Sequence, residues 1–136
     1  GQVSNNEATH NGGGISNNAN GTITMSGGSI SDNVAKNQGN GIYQNGTFNM
    51  GGDATVNLGN AVYLADGKTV TITSELTGSS LVANIVRSTY TVGTQILEAG
   101  PGVNLTAAAI QFMVDMDIAT GDSPYFVDSN GQLQPQ

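Results

Sequence analysis

The chain has 136 residues, of which 10% are charged and 5% aromatic, and it contains 20 glycines and no cysteine. Three Lys and Arg residues against ten Asp and Glu residues give a net charge of -7. These values exclude a disulfide framework, a thiolate metal site and the clustered cations that nucleic acids and anionic membranes require. No apolar run is long enough to form a membrane-spanning helix.

A block of sequence repeats with a period in the mid twenties, and it joins short β-prone pieces with Gly and Asn. This pattern is typical of one coil of a β-solenoid. Three sets of segments align: Val3–Asn6 with Ile30–Asn33 and, more loosely, Ala54–Asn57; Gly12–Ile15 with Gly39–Ile42 and Gly59–Val62; Thr22–Met25 with Thr47–Met50 and Thr69–Ile72. Insertions and deletions fall between these segments, where a solenoid has its loops.

Residues alternate between apolar and polar within each segment, so successive side chains point to opposite faces. The alternation predicts two buried columns and one outward polar column. The first buried column contains Ile15, Ile42 and Val62, and the second contains Ile23, Phe48 and Val70. The outward column contains Thr22, Thr24, Thr47, Asn49, Thr69 and Thr71.

An asparagine recurs at the end of the first aligned segment, which predicts a stack of Asn6, Asn33 and Asn57. Asn accepts the left-handed backbone of a sharp corner, and its amide can hydrogen-bond to the same amide one coil away. Glycine pairs supply further corners at 27–28 and 51–52. The alternative is an antiparallel sandwich with Asn-Gly hairpins, which also alternates but does not explain the matching columns.

The sequence changes character near residue 80, which predicts coils over 1–80 and a C-terminal capping region over 81–136. Two strands are expected at 81–86 and 90–97. Asn104 is a candidate N-cap for a helix from Leu105 to about Val114. The segment 129–131 has the composition of a hairpin turn. The predicted fold is therefore an all-β parallel β-helix of about three coils, closed by strands and one short helix.

The repeat resembles the right-handed parallel β-helix repeats of adhesin-like surface proteins of gut bacteria. The similarity lies in a Gly-Gly-x-Ile-Ser-x-Asn segment at 27–33, Gly-Ile-Tyr at 41–43 and Gly-Thr-Phe-x-Met-x-Gly-Gly at 46–52. Residues 60–64 with 67–72 are similar to the last coil of such proteins, and 105–133 to their closing region. The resemblance implies a cell-surface or extracellular location, and it brings no catalytic residues.

No residue pattern predicts catalysis, a cofactor or a bound metal. His10 lies in a Gly- and Asn-rich loop, and the carboxylates Asp53, Asp66 and Glu75 are scattered. The segment 115–122 lacks the closing Glu and the third Asx of a calcium-binding EF-hand loop. Lyases with a parallel β-helix need clustered carboxylates and a base, whereas the sequence leaves Arg87 isolated.

Four functions remain compatible with this reading. The first is a non-catalytic, rigid segment of a surface adhesin that binds a host or cell-wall glycan or protein. The others are a structural subunit that self-associates through open solenoid ends, a remnant of a carbohydrate-active enzyme, and an ice-binding protein that uses the Thr column. The expected ligand-contact residues are the six members of the outward column together with Tyr43 and Tyr63, the only repeated outward aromatic residues.

Overall fold

The computed structural model describes all of residues 1–136 and contains sixteen short strands and one helix. In chain order the elements are β1 (Gln2–Ser4), β2 (Glu7–Ala8), β3 (Ile15–Asn17), β4 (Thr22–Met25), β5 (Ser29–Ser31), β6 (Val34–Ala35), β7 (Ile42–Gln44), β8 (Thr47–Gly52), β9 (Thr55–Val56), β10 (Val62–Leu64), β11 (Val70–Leu76), β12 (Ala83–Val86), β13 (Leu97–Ala99), α1 (Leu105–Ala109), β14 (Phe112–Val114), β15 (Tyr125–Val127) and β16 (Leu133–Pro135).

The strands stack in parallel, coil upon coil, in four sheets. One sheet has the order β1-β5-β9, the second β2-β6, and the third β4-β8-β11-β13. The fourth sheet contains β3, β7, β10, β12 and β14 in parallel, followed by the antiparallel strands β15 and β16. This arrangement confirms an all-β parallel solenoid and is incompatible with the hairpin sandwich.

The parallel stacking continues beyond residue 80. Strand β12 pairs with β10, and β13 pairs with β11, so the chain forms a fourth coil. Strand β14 then pairs in parallel with β12 and begins the next layer. The sequence predicted about three coils because the fourth coil does not carry the repeated residues, although it makes the same backbone ladders.

Two of the three predicted sequence alignments match the register of the strands. Ile15, Ile42 and Val62 are direct partners, and Ile23 pairs with Phe48. The looser alignment of 54–57 was wrong, because Ile30 pairs with Val56. The true register is therefore shifted by two residues.

The buried columns form a narrow apolar core along the solenoid axis. Ile42, Phe48, Val62 and Val70 are each at most 1% exposed. In contrast, Ile15 and Ile23 are only half-buried, together with Val3 and Met25, because the first coil has a neighbouring coil on one side only. Burial of the core thus depends on stacking rather than on the composition of any single coil.

A ladder of asparagine amides runs along one corner of the solenoid. Nδ2 of Asn6 donates to Oδ1 of Asn33 at 3.0 Å, and Nδ2 of Asn33 donates to Oδ1 of Asn60 at 3.0 Å. The same oxygens accept the backbone N–H groups of Asn6 and Asn33. The prediction of Asn57 as the third member was wrong. Asn60 takes this place, and Oδ1 of Asn57 accepts a hydrogen bond from Gly59 N within its own turn.

Left-handed backbone lies next to this ladder rather than within it. Asn5 and Asp32 have φ values of 59° and 55°, and each immediately precedes a ladder asparagine. Short polar side chains tolerate this conformation at little cost. The corner therefore uses two adjacent positions, one for the turn and one for the stacked amide.

The C-terminal part differs from the sequence prediction at two places. Residues 88–96 contain no strand, and β13 begins only at Leu97, so the strand predicted over 90–97 was wrong. The helix does begin after the Asn104 N-cap, whose side chain accepts from Thr106 N, but it ends at Ala109. The residues that follow form β14 because they extend the ladder of β12.

The last two strands form the predicted hairpin and help to close the solenoid. Leu105 and Ala108 of α1 join Val127 and Leu133 of the hairpin in the buried core. In the hairpin turn, Asp128 accepts backbone hydrogen bonds from Asn130 and Gln132. These bonds hold the pKa of the Asp128 carboxyl below its ordinary value, and Gln134 Nε2 adds a further donor.

We expect Asn33→Ala to lower the free energy of unfolding by about 2–4 kcal/mol, because it leaves groups of Asn6, Asn60 and Val3 without their partner in a largely buried corner. Asn57→Ala is the matched control, because Asn57 is exposed and its side chain makes one local bond. It should cost less than about 1 kcal/mol. Urea denaturation of the two variants measures the difference, and equal losses would refute the ladder's importance.

We expect the hairpin to lose stability in acid. The folded-state pKa of Asp128 is depressed, so its contribution is complete above the ordinary pKa of Asp, roughly 3.9, and is lost as the pH falls through the lower folded value. Asp128→Asn lacks this titration. Calorimetric melting temperatures of the wild type and the variant should therefore converge in acid, and a constant gap from pH 6 to pH 2.5 would contradict the assignment.

Candidate functional site

The eight predicted ligand-contact residues lie on two neighbouring sheets. Tyr43 belongs to β7 and Tyr63 to β10, whereas the Thr and Asn residues belong to β4, β8 and β11 or, for Thr69, immediately precede β11. The corner at 45–46 separates β7 from β8. The structure thus presents two adjacent faces rather than one.

The threonine face is a polar ladder in register across four strands. Thr24 pairs with Asn49, Asn49 with Thr71, and Thr71 with Glu98, while Thr22 pairs with Thr47. Thr22, Thr24 and Thr47 are exposed, whereas Asn49, Thr69 and Thr71 are half-buried. Because one rung is an amide and another a carboxylate, the face is not a uniform array of threonine hydroxyls.

Tyr43 and Tyr63 stack on each other in adjacent coils. Their ring centroids are 5.6 Å apart and the ring planes differ by 7°. Tyr63 is only 8% exposed, whereas Tyr43 is half-buried and has the small residue Ser16 as its partner in the preceding coil. The aromatic surface open to a ligand therefore belongs mainly to Tyr43.

A groove with a volume of about 310 Å³ lies beside Tyr63. Residues 37–40 form one side, and Val86, Arg87 and Ser88 form the other. We call it the Tyr63–Arg87 groove. Its volume is at the lower end of the range of small-ligand sites, roughly 300–1,000 Å³.

Arg87 is the most unusual residue of this groove. It follows β12, and its side chain is 6% exposed. Nε and Nη1 are buried without a hydrogen-bond partner. Nη2 lies 3.4 Å from Oδ1 of Asp66, whose side chain is 79% exposed. A buried guanidinium normally satisfies most of its five N–H groups, so this one is poorly compensated.

Tyr90 holds the backbone next to Arg87. Its hydroxyl oxygen accepts the Arg87 backbone N–H at 3.1 Å, and its ring stacks on Tyr125 with a centroid distance of 4.9 Å. Burial raises the pKa of Tyr90 above its ordinary value, and the nearby Asp115 carboxylate also raises it. The phenol therefore remains neutral at physiological pH and fixes the start of the 88–96 loop.

The sequence interpretation missed Arg87 because it treated this residue as an isolated charge. The earlier coils have no repeated Lys or Arg that would predict a cation at this position. The only available signal was its place directly after a strand that continues the tyrosine sheet, where Val86 is the partner of Tyr63. The burial of Arg87 becomes visible only in the structure.

No group of three or more His, Asp or Glu side chains converges anywhere in the structure. His10 is exposed and contacts Thr9. In the segment 115–122, Asp117 accepts backbone bonds from Ala119 and Gly121, so its oxygens stabilise a turn. The sequence analysis predicted no pair of carboxyl groups with the spacing that glycosidases use.

Three larger depressions contain no buried cation comparable to Arg87. One, of about 490 Å³, runs along β5 and β9 and is rich in hydroxyls. Another, of about 380 Å³, separates β11 from α1, and the third, of about 350 Å³, lies beside residues 1–3 and 23–25. The Tyr63–Arg87 groove is the one of the four that contains a buried cation, and it is therefore the candidate site.

No family model, curated protein or solved structure matches this chain. The one helix has five residues, and no helix is long and apolar enough to cross a membrane.

Proposed function

We propose that the chain is a rigid, non-catalytic segment of a bacterial cell-surface or secreted adhesin-like protein, and that it binds a glycan along its side. The observation that carries this proposal is the parallel register of the threonine face, where Thr24, Asn49, Thr71 and Glu98 are partners from coil to coil. A polymer that lies along the solenoid axis meets a polar or aromatic side chain in each coil.

Rigidity follows from the way in which coils are joined. Every coil is bonded to the next by backbone ladders, and the asparagine ladder adds amide bonds between residues 27 positions apart. A coil cannot rotate without breaking several of these bonds at once. Such a body suits a stalk that displays binding surfaces at fixed spacing.

Lateral glycan binding is supported by the chemistry of the two faces. Tyr43 offers part of an aromatic ring, and the neighbouring rungs offer hydroxyl and amide groups that can both donate and accept. Contacts in successive coils act together on one polymer, which raises affinity through effective concentration. Weak single contacts can therefore give useful binding to a long chain.

A non-catalytic role is supported by the arrangement of the acidic residues. Glycosidases position two carboxyls about 5–10 Å apart across the sugar. On the threonine face the one carboxylate rung is Glu98, whose strand partner is Thr71. Beside the groove, Asp66 contacts Arg87, so it is suited to pairing with a cation rather than to proton transfer.

The surface location rests on the resemblance of the Gly-Gly-x-Ile-Ser-x-Asn repeat to those of adhesin-like proteins. The absence of cysteine and the low content of charged residues are compatible with it. Host and cell-wall glycans are the partners that such a location makes accessible.

We expect soluble plant and bacterial polysaccharides to bind with affinities that increase with chain length, as measured by calorimetry on oligomers of one to eight sugars. Tyr43→Ala should weaken binding by about three- to tenfold, because the exposed ring is lost. Phe126→Ala is the control, since it removes an aromatic residue that is 40% exposed on the distant hairpin. The same mixtures should release no new reducing ends or unsaturated sugars. Equal affinity for monomers and polymers, or turnover, would contradict the proposal.

Self-association is a second candidate, favoured by the first coil. Strands β1 to β4 each have one strand neighbour, and their inward residues Val3, Ile15, Ile23 and Met25 are only half-buried. The opposite end is covered by α1 and the β15–β16 hairpin. We therefore propose that two copies of the isolated segment 1–136 pair through their first coils.

We expect analytical ultracentrifugation to show a concentration-dependent monomer–dimer equilibrium. Ile23→Lys should shift it to monomer, because a charge would enter the apolar contact. Ile110→Lys is the matched control, since Ile110 is 77% exposed at the end of α1. A wild-type protein that stays monomeric at millimolar concentration, or a dimer disrupted by the Ile110 variant, would exclude this arrangement.

A further inference from the structure

The guanidinium of Arg87 lies at the edge of the Tyr63–Arg87 groove with its charge incompletely paired. Two of its three nitrogens have no hydrogen-bond partner, and the third has a single long contact of 3.4 Å. A charge that is removed from water needs close partners to offset its desolvation. Nη2, whose only contact is with the exposed Asp66, is the nitrogen that an incoming anionic group can approach, and a closer contact there would offset part of the desolvation cost.

Asp66 shows where a ligand carboxylate would lie. Its Oδ1 is 3.4 Å from Arg87 Nη2 and 3.5 Å from Ser88 Oγ, so two donors converge on one carboxylate oxygen. Both distances are at the upper limit for hydrogen bonds, and the Asp66 side chain is 79% exposed. The exposed Asp66 carboxylate therefore makes only long contacts here, and an incoming carboxylate can replace it.

The remaining walls of the groove are suited to a sugar ring. Asn37, Gln38 and Asn40 provide amide groups along one side. Oδ1 of Asn40 already accepts the Ala35 backbone N–H at 2.9 Å, which leaves its amino group as a donor. Tyr63 contributes the edge of an aromatic ring. Amides, a hydroxyl and an aromatic surface around one cation match the hydroxyls and single carboxylate of an acidic sugar.

We infer that the Tyr63–Arg87 groove is a subsite for the carboxylate of a uronic-acid residue within a glycan. This inference rests on the proposed glycan-binding function and specifies the class of its ligand. A phosphate group fits less well than a carboxylate, because it carries up to about two negative charges and the groove holds one cation on a chain with a net charge of -7.

The test compares tetragalacturonate with its methyl ester, which has the same rings and no charge. Calorimetry at 0.15 M salt should show at least about tenfold tighter binding of the acid, since a charge-assisted hydrogen bond is lost with the ester. The signals of Arg87 Nε–H and Ser88 N–H should shift in NMR spectra with the acid but not with the ester. Equal binding of acid and ester would overturn the inference.

Three variants test whether the tighter binding of the acid than of the ester arises at this groove. Arg87→Met should abolish the difference between acid and ester. Asp66→Asn should strengthen binding of the acid by a few fold, because it removes the competing carboxylate, and this exposed position keeps the test decisive if the Arg87 variant does not fold. Lys36→Gln, an equal charge change at an exposed neighbour of the groove, should alter affinity by less than about twofold. An unchanged or weakened affinity in Asp66→Asn would contradict the model of competition.

Further ligands distinguish a uronic-acid subsite from a general anion site. They also distinguish failure of the subsite from failure of the proposed function. Acetate, phosphate or tetraglutamate that shifts the Arg87 and Ser88 signals at the same concentration as tetragalacturonate would show a general anion or acidic-peptide site, and would overturn the sugar assignment. Neutral oligosaccharides that bind in a Tyr43-dependent manner, without any preference for the acid, would overturn the subsite while supporting the proposed function. If no glycan of either kind binds, both are wrong.

Discussion

The structure depends on one constraint: each residue of a block must find a compatible residue directly above it, about 4.8 Å away, in the next coil. Backbone hydrogen bonds between strands do not depend on side-chain identity, so they alone would allow one coil to shift by a residue relative to the next. The Asn6–Asn33–Asn60 ladder does depend on side-chain identity, because the Asn33 amide accepts from Asn6 and donates to Asn60. A slip of one residue would leave the buried amides of Asn33 and Asn60 without these partners. These side chains therefore fix the register that the backbone only permits.

The fixed register also assembles the candidate site from distant parts of the chain. Asp66 and Arg87 are 21 residues apart, and the loop 37–40 belongs to an earlier coil. They meet because β7, β10 and β12 are neighbours in one sheet. Loops that differ in length between coils project by different amounts, so grooves form where a long corner lies above a short one. The uniform strands provide the frame, and the irregular corners provide the shapes to which a ligand can bind.

Sequence periodicity predicted the columns led by Ile42 and Phe48 because those residues repeat in both spacing and type. It misplaced Asn57 because the strand register is shifted by two residues and the turn before Asn60 is one residue longer than the turn before Asn33, which together bring Asn60 to the ladder position. It also extended the helix into β14, since local propensity cannot detect that β12 has a free edge to be paired. The stacked pair Tyr43 and Tyr63 was predictable, whereas the burial of Tyr63 also depends on its strand partner Val86 in the fourth coil, which does not carry the repeat.

Repeated and unrepeated residues consequently have different roles in this molecule. A residue that recurs in every coil, such as the ladder asparagine, is explained by stacking, because the same physical requirement recurs at each level. Arg87 occurs once, and its burial costs free energy that neither stacking nor its long contact with Asp66 offsets well. The rigid coils on either side can sustain such a cost because their own ladders are complete. A stable periodic frame thus permits a locally unfavourable, single charge, and this is the property that a specific binding site on a solenoid requires.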